Sequence, residues 1–322
     1  MREFERASRP VVIVGAPIGL GGRCRATSQG PHSIRASGLR RQLERFGLRV
    51  EDRGDIELRD AARAVGCDPG SDVTRAVADF CVALREEVRS IVALGGIPLV
   101  LGGDHSLAAG SQAGIASAYR DLGQDPPGLV WFDAHADIHT MATTPSGNLH
   151  GMPLAALLGL PVPAFLPAIG FDGMRDPQRT VLVAQRDVEP AEVDHLQQLG
   201  VRVYMCDEIR RRGIDAVMAE AVLRAAGSDG RFSMSFDLDS LDPTVASGVD
   251  CPVPHGLTLD EVRVALTIVA DHGGLAGLDI VEVNPSKDTD GRTAAIAVEA
   301  AATMLGGFAI EAPMVRHRSA AG

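Results

Sequence analysis

Histidine and acidic residues cluster at four places in this sequence, and each cluster follows or ends an apolar run typical of a buried strand. In chain order, the clusters are Gly102-Gly103-Asp104-His105-Ser106, Asp133-Ala134-His135-Ala136-Asp137, Asp237-Leu238-Asp239, and Glu282. Carboxylate and imidazole groups are common ligands of divalent cations in proteins. The four clusters therefore predict a hydrolase that uses two metal ions.

The second and third clusters place their metal-binding side chains at every other residue. In an extended segment, residues i, i+2 and i+4 lie on the same face. We therefore expect Asp133, His135 and Asp137 to point in one direction, and Asp237 and Asp239 to do the same. One pocket would then hold both sets.

Four carboxylates gathered in one pocket would repel one another, and burying them without partners would force protonation or unfolding. Two divalent cations would cancel their charge. The candidate ligands are oxygen and imidazole with no thiolate, which favours Mn²⁺ and leaves Co²⁺, Ni²⁺ and Zn²⁺ open. Two such ions roughly 3.5–4 Å apart can share and ionise a water molecule, so hydrolysis would need no protein nucleophile.

Short strand-like runs alternate with helical patterns along the chain. The predicted strands cover residues 11–14, 49–51, 98–101, 129–132, 180–184, 201–205, 232–236 and 278–281, and the clearest helices cover 32–46 and 72–94, the second capped by Asp72. Several of the runs are apolar on both faces, as parallel strands are. We predict a single α/β domain over residues 1–322, with three α/β/α layers around a mostly parallel sheet of about eight strands.

Composition excludes several classes of function. The formal net charge is −11 and no Lys/Arg block dominates, so nucleic acid is not an expected partner. No apolar run reaches the roughly 18 residues of a membrane span. The chain has no N-terminal apolar segment, and its five cysteines have no CxxC spacing, so we expect a cytoplasmic protein; the cysteines are Cys24, Cys67, Cys81, Cys206 and Cys251.

Most other candidate serine, glycine and histidine residues lack the sequence context of a catalytic or ligand-binding site. Ser106 and Ser146 lack the context of a serine nucleophile, and Gly102-Gly103 is too short for a phosphate loop. Four histidines without acidic partners are interpreted as structural, namely His32, His195, His272 and His317. His150 and His255 stay undecided at the level of residue pattern alone.

The motifs resemble those of the ureohydrolases, the family of arginases, agmatinases and their relatives. They are GGDHS at 102–106, DAHAD at 133–137, SGNLHG at 146–151, SFDLDSLDP at 235–243 and EVNP at 282–285, and the resemblance covers nearly the whole chain. It implies an arginase/deacetylase α/β fold and two Mn²⁺ ions per subunit. The family's habit also implies a homotrimer or homohexamer.

Carried over residue by residue, the resemblance implies two sets of metal ligands. These sets are His105, Asp133, Asp137 and Asp237 for one ion, and Asp133, His135, Asp237 and Asp239 for the other. It also implies three catalytic roles. Asp137 passes a proton to the leaving amine, His150 is a proton shuttle, and Glu282 pairs with the substrate guanidinium.

The resemblance also implies where the far end of the substrate binds. Thr144, Ser146 and Asn148 resemble the arginase loop that grips an α-carboxylate, while Glu189 and Glu192 lie in a stretch that resembles the receptor of the α-amino group. Three positions depart from the family pattern. Glu189 replaces an aspartate, His139 replaces a carboxylate-binding asparagine, and Cys251 replaces a threonine near the guanidinium.

These features predict a manganese-dependent enzyme that hydrolyses L-arginine to L-ornithine and urea. Because of the three departures, a sister amidinohydrolase for another guanidino acid or agmatine stays open. A zinc-dependent amide deacetylase of the same fold is disfavoured, since the tandem histidines of those enzymes are absent here. A non-catalytic arginine-binding protein would bind the substrate without turnover.

Overall fold

A computed structural model describes residues 9–57, 71–170 and 173–306. Eight strands form one sheet in the order β2-β1-β3-β8-β7-β4-β5-β6, and every strand pair is parallel. The strands are β1 Val11–Ala16, β2 Val50–Asp55, β3 Ile97–Gly102, β4 Gly128–Phe132, β5 Thr180–Gln185, β6 Arg202–Met205, β7 Phe232–Asp237 and β8 Leu275–Val281. Each predicted run overlaps one of them, so the predicted sheet is confirmed.

Eleven α-helices connect and cover the strands within these described ranges. They are α1 Gly30–Ala36, α2 Leu39–Arg45, α3 Ser71–Ala93, α4 Ala108–Asp121, α5 Pro153–Leu157, α6 Leu166–Ile169, α7 Pro190–Leu199, α8 Cys206–Arg212, α9 Ile214–Ala226, α10 Leu259–His272 and α11 Arg292–Gly306. In the described part of the chain, no helix has both the length and the apolar character to cross a bilayer.

The helix predicted over residues 32–46 is in fact two helices. Gly38 lies between them with φ +89°, a left-handed conformation that interrupts the helical hydrogen bonds and that glycine adopts without steric cost. Helix α3 matches its predicted range closely. Some predictions fall outside the residues whose side chains are described. They concern the cap at Asp72, Cys67, His317 and the two ends of the predicted domain.

The core lies on both faces of the sheet. Along β1, Val11 and Ile13 pack with helices α1, α2 and α8–α11, whereas Val12 and Val14 pack with helices α3–α7. Successive residues of a strand point to opposite faces, so a strand covered on both sides must be apolar throughout. This arrangement is the predicted three-layer α/β/α fold.

Four neighbouring strands at the centre of the sheet carry the acidic and imidazole clusters. Strands β3, β8, β7 and β4 are adjacent, and each is followed at its carboxyl end by one of the four motifs. Because all strands are parallel, these carboxyl ends lie at one edge of the sheet, where open α/β sheets place their ligands. Sheet order thus brings together motifs that are up to 177 residues apart.

Candidate metal centre and active site

The imidazole of His105 lies at the centre of one group of carboxylates. Its Nδ1 atom is 3.0 Å from Oδ2 of Asp137, 3.1 Å from Oδ2 of Asp133 and 3.2 Å from Oδ2 of Asp237. All four residues are buried. Among the described residues, this Nδ1 has no partner in hydrogen-bond geometry although three oxygens lie close to it. The three carboxylate oxygens therefore surround the Nδ1 atom of His105 without forming a hydrogen bond to it.

Neighbouring side chains fix the direction of the His105 ring. Its Nε2 atom lies 2.9 Å from Oγ of Ser235, and the ring stacks on Trp131 with centroids 4.1 Å apart and an interplanar angle of 6°. The Trp131 Nε1–H also donates to Oδ2 of Asp133 at 3.0 Å. A hydrogen bond at one imidazole nitrogen orients the other nitrogen toward a ligand. Ser235 begins the SFDLDSLDP motif and Trp131 belongs to an apolar run, but the sequence analysis assigned neither residue a role at the site.

A second group forms around His135. Its Nδ1 atom lies 3.0 Å from Oδ2 of Asp239 and 3.5 Å from Oδ1 of Asp133. The potential ligand atoms of Asp133, His135 and Asp239 all lie within 4.8 Å of one another, as do those of His105, Asp133 and Asp237. Asp133 belongs to both groups and presents a different oxygen to each histidine.

The residues converge as expected, but of the five only Asp237 lies in a strand, at the end of β7, and the prediction that the others lie in extended segments is wrong. Strand β4 ends at Phe132, and Asp137 adopts a left-handed φ of +50°. Asp239 lies in the 3₁₀ turn Leu238–Ser240, which follows β7. The side chains reach the pocket through tight turns at the strand ends because each Asp side chain accepts a main-chain N–H two residues further on, Asp133 from His135 and Asp237 from Asp239.

The two groups fit divalent cations. Two ligand atoms held about 2.1–2.2 Å from one cation and at right angles to each other lie about 3 Å apart, close to the His105 and His135 distances above. Burial, together with the charges of Asp239 and Asp133, raises the pKa of Asp237 well above its ordinary value. Burial and the charge of Asp133 also raise the pKa of Asp137 to about 7. Cations would restore the ionised form of these carboxyls.

His150 and Glu282 form a pair beside the first group. The His150 Nδ1 atom is 3.1 Å from Oε1 of Glu282, and that oxygen also accepts the main-chain N–H of His105 at 2.7 Å. Glu282 is 3% exposed, and its Oε2 atom has no hydrogen-bond partner among the described residues. Burial opposes protonation of His150, but its contact with the Glu282 carboxylate outweighs this and raises the pKa of His150 to about 9.

A cavity of about 420 Å³ opens above both groups and the pair. Six of the seven residues expected to contact substrate line it, namely His139, Ser146, Asn148, Glu189, Glu192 and Cys251. Thr144 is not among the lining residues. Its Oγ1 instead accepts the main-chain N–H of Gly147 at 3.0 Å, and so shapes the loop that carries Ser146.

The three residues that depart from the family pattern lie on this cavity. His139 Nε2 is 3.4 Å from Oε2 of Glu189, and its Nδ1 is 3.2 Å from Oγ1 of Thr143. Both oxygens of Glu192 accept main-chain N–H groups, from Ile138 and Glu189. Burial raises the pKa of the Cys251 thiol to about 12, so this group is a neutral thiol at neutral pH.

Two further residues at the cavity were missed by the sequence analysis. Arg23 lines it, and the main-chain N–H groups of Arg23 and Cys24 each donate at 3.0 Å to Oδ2 of the buried Asp250. Asp250 lies 227 residues from Arg23 in the chain, and neither residue belongs to a motif. No local pattern could have revealed this contact.

Comparison with known proteins agrees with the geometry of the site. The sequence profile of the Arginase family matches residues 9–306. The chain belongs to the arginase family. The arginase of Bacillus caldovelox is 37% identical over 301 residues, which cover 92% of this chain and 98% of that protein. The predicted family and enzyme class are thereby confirmed, and the chain is a hydrolase of the arginase family.

Solved structures of the arginase family share the fold. The crystal structure of arginase from Bacillus subtilis superimposes with a TM-score of 0.84 at 34% identity, covering 92% of this chain and 99% of that one. The proclavaminate amidino hydrolase of Streptomyces clavuligerus gives a TM-score of 0.73 at 24% identity, covering 95% and 93% of the two chains. The second match concerns the fold alone.

Proposed function

We propose that this arginase-family hydrolase cleaves L-arginine to L-ornithine and urea with two Mn²⁺ ions. The observation that carries the proposal is the buried Glu282, which lines the same cavity as both ligand groups and whose Oε2 atom has no hydrogen-bond partner among the described residues. A buried carboxylate oxygen without a partner is costly, and a guanidinium is the substrate group that would pair with it.

The ions would be held by the two groups described above. One set of ligands is His105, Asp133, Asp137 and Asp237, and the other is Asp133, His135, Asp237 and Asp239. Oxygen and imidazole donors without thiolate support Mn²⁺. When bound, two such cations lower the pKa of water and so supply the nucleophile of the hydrolysis.

Glu282 orients the substrate. Its Oε1 atom is occupied by the His105 N–H and by His150, so Oε2 is the oxygen available to a guanidinium N–H. A guanidinium stays protonated at neutral pH, and the carboxylate holds it by charge-assisted hydrogen bonds. The guanidinium carbon would then lie beside the His105 group.

His150 supplies a proton to the departing nitrogen. Collapse of a tetrahedral intermediate requires an acid at the leaving amine. In the metal-free protein, contact with Glu282 raises the pKa of His150 to about 9, which supports a protonated imidazole at neutral pH, and its side chain keeps 15% exposure through which a proton can be regained. Asp137, whose carboxyl lies in the His105 group, would take the proton of the attacking water and pass it to this nitrogen, which would then leave as a neutral amine. The proton of His150 would convert the released amine to an ammonium.

The far end of the cavity supports an amino acid substrate. Ser146 and Asn148 line the wall where an α-carboxylate would bind, and Glu189 and Glu192 line the wall where an α-ammonium would bind. His139 also lines the cavity, and its Nε2 atom is 3.4 Å from Oε2 of Glu189. Cys251 would lie near the guanidinium as a neutral thiol.

The contact between His139 and Glu189 favours a second candidate function. If the His139 imidazole pairs with the Glu189 carboxylate, that carboxylate would be less available to an α-ammonium group, and the site would prefer a guanidino acid without that group. An assay of urea release with Mn²⁺-loaded protein decides between the two. We expect kcat/KM for L-arginine to exceed the values for agmatine and 4-guanidinobutyrate; the reverse order would overturn the arginase assignment, and binding without turnover would overturn both.

We also propose that residues 1–322 form one ureohydrolase domain and that it assembles into a homotrimer or homohexamer in the cytoplasm. The support is the family membership and the continuous eight-stranded sheet. Light scattering of the purified chain at several concentrations tests the assembly. A monomer at all concentrations would contradict it.

A further inference from the structure

The carboxyl end of strand β5 has an unusual backbone. Ala184 has φ +73°, in the left-handed region that non-glycine residues rarely adopt, and the pairing with β6 shifts register between Val183 and Gln185. Such strain persists where the surrounding structure enforces it, often at functional sites. The two residues that follow, Gln185 and Arg186, contact both segments that flank β5 at the site.

Gln185 holds the segment that contains Asp133 and His135. Its buried side-chain Nε2 donates to the main-chain carbonyl of Asp133 at 2.9 Å and to that of His135 at 2.7 Å. The main-chain N–H groups of Arg186 and Asp187 donate to the carbonyl between them, that of Ala134, at 3.0 and 3.1 Å. Three consecutive carbonyls of this segment are thus held from one side.

Arg186 contacts the segments on the other side of the site, residues 239–241 and 253–254. Its guanidinium donates to six main-chain carbonyls, those of Ala184, Asp239, Ser240, Leu241, Val253 and Pro254. The shortest of these bonds, at 2.6 Å, goes to Asp239. Only a guanidinium has five N–H donors in a fixed plane, so lysine cannot reproduce this set.

The contacts fall on one ligand group only. Gln185 and Arg186 reach the main chain of Asp133, His135 and Asp239, which form the second group. The His105 imidazole is instead fixed by Ser235 and Trp131, from β7 and β4. The supports of the two groups are therefore separate, apart from Asp133 and Asp237, which the proposed ligand sets share.

We propose that Gln185 and Arg186 are positioning residues that set the affinity of the second cation site, formed by Asp133, His135 and Asp239, while leaving the His105 site nearly unchanged. The inference rests on the two-cation site of the proposed function. Each residue acts through the main chain of the ligands rather than through contact with a cation. Residues that orient metal ligands typically change metal affinity about 10–100-fold when replaced.

The test compares Arg186→Lys and Gln185→Leu with a matched control, Arg179→Lys. Arg179 precedes the other end of β5 and likewise donates to main-chain carbonyls, those of Ala225, Ala226 and Arg231, far from the cavity. Gln185→Leu keeps the side-chain volume and removes the two hydrogen bonds of the Gln185 Nε2 atom. It therefore tests the inference without changing Arg186. Equilibrium dialysis with Mn²⁺ measures the number of bound ions and their affinities. Electron paramagnetic resonance distinguishes spin-coupled pairs of Mn²⁺ ions from single ions.

We expect both site variants to bind the first Mn²⁺ as the wild type does and the second about 10–100-fold more weakly, with a single-ion spectrum at limiting Mn²⁺. Excess Mn²⁺ should restore the coupled spectrum and turnover. Arg179→Lys should lower thermal stability and keep the wild-type Mn²⁺ affinities.

Two results would overturn the inference: both ions bind the site variants with wild-type affinities, or both ions are weakened equally. Wild-type protein that binds two ions but releases no urea from any guanidino substrate would overturn the proposed function alone. Wild-type protein that binds fewer than two ions would overturn both.

Discussion

The Nδ1 atom of His150 lies 3.1 Å from Oε1 of Glu282, at the base of the cavity that also holds both ligand groups. Glu282 is nearly inaccessible, whereas His150 retains 15% side-chain exposure. The pair therefore links a carboxylate that can bind a guanidinium to an acid that can exchange protons with solvent. In the proposed reaction, substrate binding and proton delivery would fall to neighbouring atoms.

The stability of the metal-free protein should depend on pH through this pair. The pKa of His150 is raised from 6.5 to about 9 in the folded state, so the folded state binds the proton more tightly than the unfolded chain. The stabilisation is complete below about pH 6.5 and is lost as the pH rises through about 9. Urea unfolding should show that His150→Gln costs on the order of 2 kcal/mol more at about pH 6 than at about pH 10.

The Glu282→Gln background is the control for this pH dependence. Glu282 is the partner whose hydrogen bond and charge raise the pKa of His150, so the extra cost of His150→Gln at low pH should largely disappear there. An equal cost at both pH values in the wild-type background would contradict the assignment.

Replacement of Glu282 by glutamine should separate substrate binding from metal binding. The change removes the charge that would pair with a guanidinium, and losing one partner of a buried charged pair costs about 2–5 kcal/mol. We expect kcat/KM to fall about 10²–10³-fold while the bound Mn²⁺ stays at the wild-type level. Urea release and metal analysis measure the two effects. Glu261→Gln, in the capping box of helix α10, is the control; a Glu282→Gln enzyme with wild-type kcat/KM would rule out the role.

Asp133→Asn should weaken both metal sites together. Its Oδ2 faces His105 and its Oδ1 faces His135, so a single substitution alters both ligand groups. We expect each Mn²⁺ affinity to drop by more than about 10-fold, with activity lost in parallel. Asp242→Asn, which changes a turn contact to Thr244, serves as the control. Metal analysis after dialysis that finds two retained ions in Asp133→Asn would refute the bridging role.

Gly103→Ala should destabilise the fold at the entrance to the metal centre. A Cβ atom at Gly103 would lie 1.7 Å from the carbonyl oxygen of Ile18, which also accepts the main-chain N–H of Asp104. Backbone must move to relieve this contact, so we expect a loss of about 2–3 kcal/mol in the free energy of unfolding. Gly151→Ala is a matched control, because a Cβ there meets nothing within 4 Å. Equal denaturation midpoints for the two variants would contradict the prediction.

Local patterns predicted the strands better than the turns and helix ends. Apolar runs bounded by polar loops located the buried strands, since a strand buried on both faces must be apolar along its length, whereas the polar and largely exposed strand β2 overlaps its predicted range only at Val50 and Glu51. The same reasoning predicted one helix in place of α1 and α2, because an isolated glycine within a helical pattern is tolerated at a cost of about 1 kcal/mol and does not by itself indicate a break. The left-handed conformations of Asp137 and Glu282 carry no signature in sequence, as they are imposed by surrounding contacts.

Residue types and motif spacing by themselves determined that this chain is a parallel α/β protein with cation-binding clusters at strand ends. Those features are local, because strand burial and ligand chemistry depend on the residues themselves. Only the tertiary structure decided which oxygen of Asp133 faces which histidine, that His150 meets Glu282, and that Arg186 ties down the loops around Asp239. Apart from the local contact of Asp133 with His135, these contacts join residues 28 to 132 positions apart through the order of strands in the sheet. That order follows from the packing of the whole chain rather than from any one segment.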